Sequence, residues 1–155
     1  MKITLTRENL LNVLQTVGGV VEKRQTMPIL GNVLFQISEN TLTVTASDLE
    51  IETRAKTELE STEVKQLAIT LPAIKLINIV RSLPNGLTIT LDFDDSRCTL
   101  SAGRSRFKLS TLPAEDFPTM DLTQTDLSFA LSQHQLKQLI LHSGFAMASQ
   151  DVRFY

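Results

Sequence analysis

The strongest constraint on this chain is an internal repeat. Ile3-Thr4-Leu5 recurs as Ile69-Thr70-Leu71, and Leu10-Leu11-Asn12-Val13 recurs as Leu76-Ile77-Asn78-Ile79, both at an offset of 66 residues. Phe129-Ala130-Leu131 and Leu136-Lys137-Gln138-Leu139 take the same places at an offset of 126. Each copy reads as a strand, a cap and an amphipathic helix. One helix on a few strands buries too little apolar surface to stand alone. Two copies side by side make one domain with an apolar layer between helices and sheet.

The periodicity gives the elements. Lys2–Leu5 alternates as a strand, Thr6 is an N-cap, and Leu10, Leu11, Val13, Leu14 and Val17 form a helical stripe ended by Gly18-Gly19. Asn32–Ser38, Thr41–Ala46 and Leu49–Leu59 read as an antiparallel meander with one solvated face. Gln66–Leu71 opens the second copy. Pro72 suits a first helical turn, and Leu76, Ile77, Ile79, Val80 and Leu83 form a second stripe stopped by Pro84-Asn85-Gly86. Strands follow over Leu87–Phe93, Arg97–Ala102 and Arg104–Ser110, with a turn at Asp94-Asp95-Ser96. Residues 113–126 read as an irregular acidic linker. Leu127–Leu131 is expected as a strand, and Ser132 with Gln135 as a capping box opening a third helix to about Ser143. The third unit is expected to stop before its return strands.

Composition narrows the function. The 155 residues carry 42% hydrophobic and 21% charged side chains, a globular balance. No apolar run approaches the ~18 residues of a membrane span, and MKITLTRENLL does not read as a secretory signal. Cys98 is the single cysteine, which excludes a disulfide framework and points to a reducing, cytoplasmic compartment. The net charge of −2 argues against gripping nucleic acid by bulk charge. The charge is uneven: residues 39–63 carry a net −5 and residues 64–113 a net +4, so one surface can still be basic.

These residues resemble the bacterial DNA polymerase III β subunit, or β sliding clamp, family. The likeness runs through MKITLTRENLL, TMPILGNVLFQ, TASDLEIE, SAGRSRFKLSTLPAEDFP and ASQDVRFY. It implies an α+β DNA-clamp fold: a doubled β-α-β-β-β unit with two helices packed on antiparallel sheet, followed by a partial third unit. Residues 1–122 would be the first clamp domain, with repeats at about 1–63 and 64–122. Residues 123–155 would hold a linker and the first strand and helix of a second domain. The family's helices line a ring around duplex DNA, held without sequence preference, and two protomers close head to tail. Clamp loader and DNA polymerases are the further partners; no membrane is involved.

The resemblance carries residue roles. Arg24 and Gln150 match loop residues that meet DNA. Opposite each apolar stripe, at ~100° per residue, stand Asn12, Asn78 and Gln138. Arg81 flanks that face; Arg7 and Lys137 must extend outward to reach it. Such a wall would touch phosphates weakly, often through water. Lys75, Arg104, Arg106, Phe107 and Leu109 match the protomer contact. Arg153, Phe154 and Tyr155 match the start of the pocket for clamp-binding peptides, with Phe154 departing from the usual tyrosine.

Catalysis finds little support. Asp48, Glu50 and Glu52 share one expected strand face and read as solvated rather than metal-binding. His134 and His142 are about 12 Å apart along their helix, too far to share a metal. No phosphate-cradling glycine loop or nucleophile motif is present. The expectation is therefore a non-enzyme with no cofactor and no metal. The alternative is a stand-alone α+β interaction module that uses the RSRFKLS edge and never meets DNA.

Overall fold

Alternation places Ile3 and Leu5 in the core and leaves Lys2 exposed along strand β1 (Lys2–Thr6). Thr6 keeps extended backbone angles, and its hydroxyl accepts from the Asn9 N–H at 3.1 Å, which starts helix α1 (Arg7–Val17). The helix buries Leu10, Val13, Leu14 and Val17. A side chain at Gly18 would meet the Leu14 carbonyl at 2.8 Å and Ile77 Cδ1 at 3.0 Å, so glycine is what lets α1 end against helix α2 (Ala73–Ser82). These details come from a computed structural model that describes residues 1–21, 27–94, 96–120 and 129–147.

The remaining strands are β2 (Asn32–Ser38), β3 (Thr41–Ser47), β4 (Glu52–Glu58), β5 (Ser61–Thr62), β6 (Gln66–Pro72), β7 (Thr88–Asp94), β8 (Arg97–Ala102), β9 (Ser105–Ser110) and β10 (Leu112–Pro113). They form two antiparallel five-stranded sheets, in the orders β5-β1-β7-β8-β9 and β10-β6-β2-β3-β4. The repeats exchange their first strands. β1, from the first copy, pairs with β7 of the second in the register Lys2↔Asp92 to Thr6↔Thr88. β6, from the second copy, pairs with β2 of the first from Asn32↔Pro72 to Ser38↔Gln66. One apolar core, including Phe35, Leu71, Leu76, Leu91 and Leu100, therefore draws on both sheets and both helices.

A second, smaller cluster closes the far face of the β2–β4 sheet. Leu34 points away from the main core and packs with Ile29 and Leu30, from a 3₁₀ turn at Pro28–Gly31, and with Phe117. The chain from β10 to Met120 runs as a strap from one edge of this sheet to the other. It begins with Leu112 opposite Thr70 on β6. It ends where the Glu52 carboxylate on β4 accepts the Met120 N–H at 2.8 Å.

Three expectations are corrected. The alternation over 49–59 does not begin at Leu49, because the Asp48 carboxylate accepts from the N–H groups of Glu50 (2.9 Å) and Ile51 (2.7 Å) and folds 48–51 into a turn. Leu49 sits at φ +80° and is 53% exposed, Ile51 is 57% exposed, and β4 starts at Glu52. Asp48 and Glu50 therefore share no strand face with Glu52. Second, Arg104 lies in the tight turn after Gly103 (φ +56°), and β9 begins at Ser105. Third, of the strand expected over 127–131, the described residues 129–131 are in no strand, and 127–128 lie outside the described residues.

Residues 1–120 and 121–155 separate into two compact units. In the second, helix α3 (Gln133–Gly144) opens with the expected capping box: Ser132 Oγ accepts from the Gln135 N–H, and Gln135 Oε1 accepts from the Ser132 N–H. Leu136, Leu139 and Ile140 on it are exposed.

Two tests follow from this packing. Phe117→Ala should cost about 3 kcal/mol in urea unfolding, and a loss below about 1 kcal/mol would mean the strap does not close the outer cluster. The two N–H donors hold the Asp48 carboxyl below its ordinary value of 3.8. A depressed acid adds stability above its unfolded pKa and loses it as pH falls through its native one. Asp48→Asn should therefore lower stability modestly at neutral pH and flatten the acid limb below pH about 4, so that the two proteins converge in acid, as urea unfolding over a pH series would read.

Candidate functional site

The two helices of the first unit pack side by side, and their solvent faces form the candidate surface. The core stripe of α1 leaves Asn12, Gln15 and Thr16 outward; that of α2 leaves Lys75, Asn78 and Arg81 outward. The amides expected opposite the stripes, Asn12 and Asn78, are thus exposed on neighbouring helices. The acid nearest this face, Glu8, accepts the Gly86 N–H at 2.9 Å, and this bond, more than the neighbouring Arg7, holds its carboxyl below its ordinary value. On α3, Lys137 and Gln138 are exposed.

Arg7 does not reach outward. Its Nε donates to the Val80 carbonyl at 3.1 Å and its Nη2 to the Arg81 carbonyl at 3.2 Å. Its side chain is 12% exposed, with Nη1 3.9 Å from Glu8. The expectation that Arg7 extends to the DNA-facing surface is corrected: the carbonyls at the end of α2, of which that of Val80 otherwise takes only the Leu83 N–H at 3.4 Å, draw the guanidinium in. No local sequence signal marks this contact, because its partners lie more than 70 residues away.

The second set of expected residues lies along β9, the last strand of its sheet. Arg106 and Lys108 are exposed, Arg104 projects from the adjoining turn, and Lys75 Nζ reaches the Lys108 carbonyl at 3.4 Å. Cations on an edge strand resist indiscriminate pairing. Phe107 is half-buried against the core. Leu109 is 1% exposed and belongs to the core, so it offers no accessible contact; this corrects its place in the expected surface. Arg24, Gln150, Arg153, Phe154 and Tyr155 lie outside the described residues.

Nothing in the described residues converges for catalysis. Cys98 is buried between the sheets, which with the nearby Asp92 charge pushes its thiol up to about 12 and leaves it unreactive. A groove of about 500 Å³ beside the β6 edge is lined by Ala68, Ile69, Ser96, Leu112 and Pro113, with Glu115 the one titratable side chain among the described lining residues. Among the described residues no three His, Cys, Asp or Glu side chains gather to hold a metal ion. No described helix is long and apolar enough to cross a membrane.

Comparison with known proteins bears on the family and the fold. Residues 1–121 match the family described as DNA polymerase III beta subunit, N-terminal domain. The whole chain is similar to the beta sliding clamps of Proteus mirabilis (48% identical) and Pseudomonas aeruginosa (46%), and spans 42% of the length of each. It superposes along its full length on a sliding clamp from Pseudomonas aeruginosa bound to griselimycin, with a TM-score of 0.93 at 46% identity over 42% of that chain. The Caulobacter crescentus pol III beta structure gives 0.93 at 40% identity over 41% of that chain. The fold is therefore the α+β fold of the sliding clamps, and the chain belongs to the DNA polymerase III β-subunit family.

Proposed function

We propose that this chain serves as the first domain (residues 1–122) of a DNA sliding clamp, followed in residues 123–155 by a linker and the opening helix of a second. In this reading the clamp encircles duplex DNA and tethers the replicative polymerase in the cytoplasm. The observation that carries it is the helix pair: two adjacent helices present neutral amides with few cations, while both sheets lie behind them. Such a face suits contact with DNA that is loose enough to slide. Arg24, Arg81, Lys137 and Gln150 make the phosphate contacts. Lys75, Arg104, Arg106 and Phe107 supply one half of a head-to-tail contact with a second protomer, whose edge must be acidic. Arg153, Phe154 and Tyr155 begin a pocket for peptides of the clamp loader and polymerases. The chain itself catalyses nothing.

Duplex binding by this chain should be weak and independent of sequence. Neutralising about 3 phosphates gives a slope of log K against log salt near −3, and Arg81→Ala should make it shallower by about 0.9. Fluorescence anisotropy over a salt series reads both quantities. A salt-insensitive or sequence-specific complex would exclude the sliding reading in favour of another.

The chain alone should sediment as a monomer. Two β9 edges brought together place Arg106 and Lys108 against like charges, and like charges opposite one another are destabilising. A ring-sized assembly in light scattering, at low or high salt, would contradict this placement of the protomer contact.

A further inference from the structure

We propose that Arg7 is a positioning residue. It clasps the last turn of α2 so that Arg81 is held on the helix face, and it contacts no phosphate itself. The inference rests on the DNA reading above and deepens it by dividing the cations of the wall into those that touch DNA and one that places them.

The geometry is specific. The last carbonyls of a helix have no partner within it. In α2 (Ala73–Ser82) the Arg81 carbonyl accepts from Arg7 Nη2 at 3.2 Å, and the Val80 carbonyl accepts from Arg7 Nε at 3.1 Å beside the longer capping bond from the Leu83 N–H at 3.4 Å. A guanidinium at that end also meets the partial negative charge of the helix dipole. The neighbouring bonds form one seam. The Arg7 N–H donates to the Leu87 carbonyl at 2.8 Å, and the Gly86 N–H donates to Glu8 at 2.9 Å. The start of α1 is thereby tied to both sides of the Pro84-Asn85-Gly86 stop, and Arg81 sits within the tied turn.

The repeat shows that the clasp is an addition rather than part of the unit. At the offset of 66, the position matching Arg7 is Ala73, which is fully buried and sends nothing across to α1. At that other end of the helix pair, the close approach of Gly18 to Ile77 holds the helices together by packing. The arginine occurs at the end of the pair that carries Arg81. Two of its three nitrogens donate to carbonyls and the third faces Glu8, so its charge is used within the protein.

Salt-dependent DNA binding by the full 155-residue chain separates the two roles. Measurements are made at a temperature where every variant is folded by circular dichroism. Arg7→Ala should weaken binding about fivefold, the cost of ordering one freed long side chain on association, and leave the salt slope unchanged. Arg81→Ala should make the slope shallower by about 0.9. Arg7→Lys, which still donates to one carbonyl, should recover most of the loss; it also carries the comparison if Arg7→Ala fails to fold. Amide exchange at Leu83 and Gly86 should quicken in Arg7→Ala. A slope change of about 0.9 in Arg7→Ala would make Arg7 a phosphate contact and overturn the proposal. Unchanged affinity in folded Arg7→Ala would overturn it as well, as would unchanged amide exchange. No duplex binding by the unsubstituted chain at low salt would overturn the DNA reading itself, and amide exchange would then decide the clasp alone.

Discussion

The exchange of first strands between the repeats is the constraint on which the rest of the structure depends. β1 completes the sheet of the second copy, and β6 completes the sheet of the first. Neither copy has a finished sheet without the other, so the two fold as one cooperative unit. The pairing of Ile3 with Leu91 joins residues far apart in sequence, and such contacts form only after a long loop has closed. The exchange also fixes the helices. Each follows directly from an exchanged strand, so both leave their sheets toward the same apolar layer and come to rest side by side.

That arrangement separates three surfaces. The helix pair occupies one side of the layer, and the two sheets end in β9 and β4, strands that pair on one side only. The cationic residues follow this division. Arg106 and Lys108 lie on β9 and Arg81 on α2, with Lys75 between them reaching the β9 backbone. On the β2–β4 sheet, the strap from Leu112 to Met120 covers the far face and is tied down at both edges. TMPILGN and LPAEDFP are read as motifs because they meet there: Ile29, Leu30 and Phe117 close over Leu34.

Local features were legible in the sequence where their partners are local. The Thr6 cap needs only Asn9, and the Ser132 capping box needs only Gln135. Alternation placed β2 and β8 with their observed ends. The helix faces were legible too, since Asn12 and Asn78 lie opposite the stripes that bury Leu10 and Leu76. The misread parts have distant or competing partners. Asp48 offers its carboxylate to two backbone N–H groups and withdraws 48–51 from the strand, although the apolar alternation continues through them. Alternation also cannot say which strand lies beside which, so the exchange of β1 and β6 was not readable. Leu109 alternates as an edge residue would, yet its face is the one that helix and sheet cover.

The clamp reading gives the sparse charge of the wall a physical sense. Attraction to DNA grows with each phosphate neutralised, and a closed ring needs little of it because topology already prevents escape. Each additional contact would instead deepen the well that must be left at every step along the duplex. The first unit answers with amides opposite its apolar stripes, and it turns the one arginine at the start of α1 inward onto carbonyls. An arginine kept within the protein still acts on the wall. In the proposed reading it exchanges a loose cation for a fixed helix end, and the few cations that remain would meet the DNA from defined positions rather than from a mobile cloud.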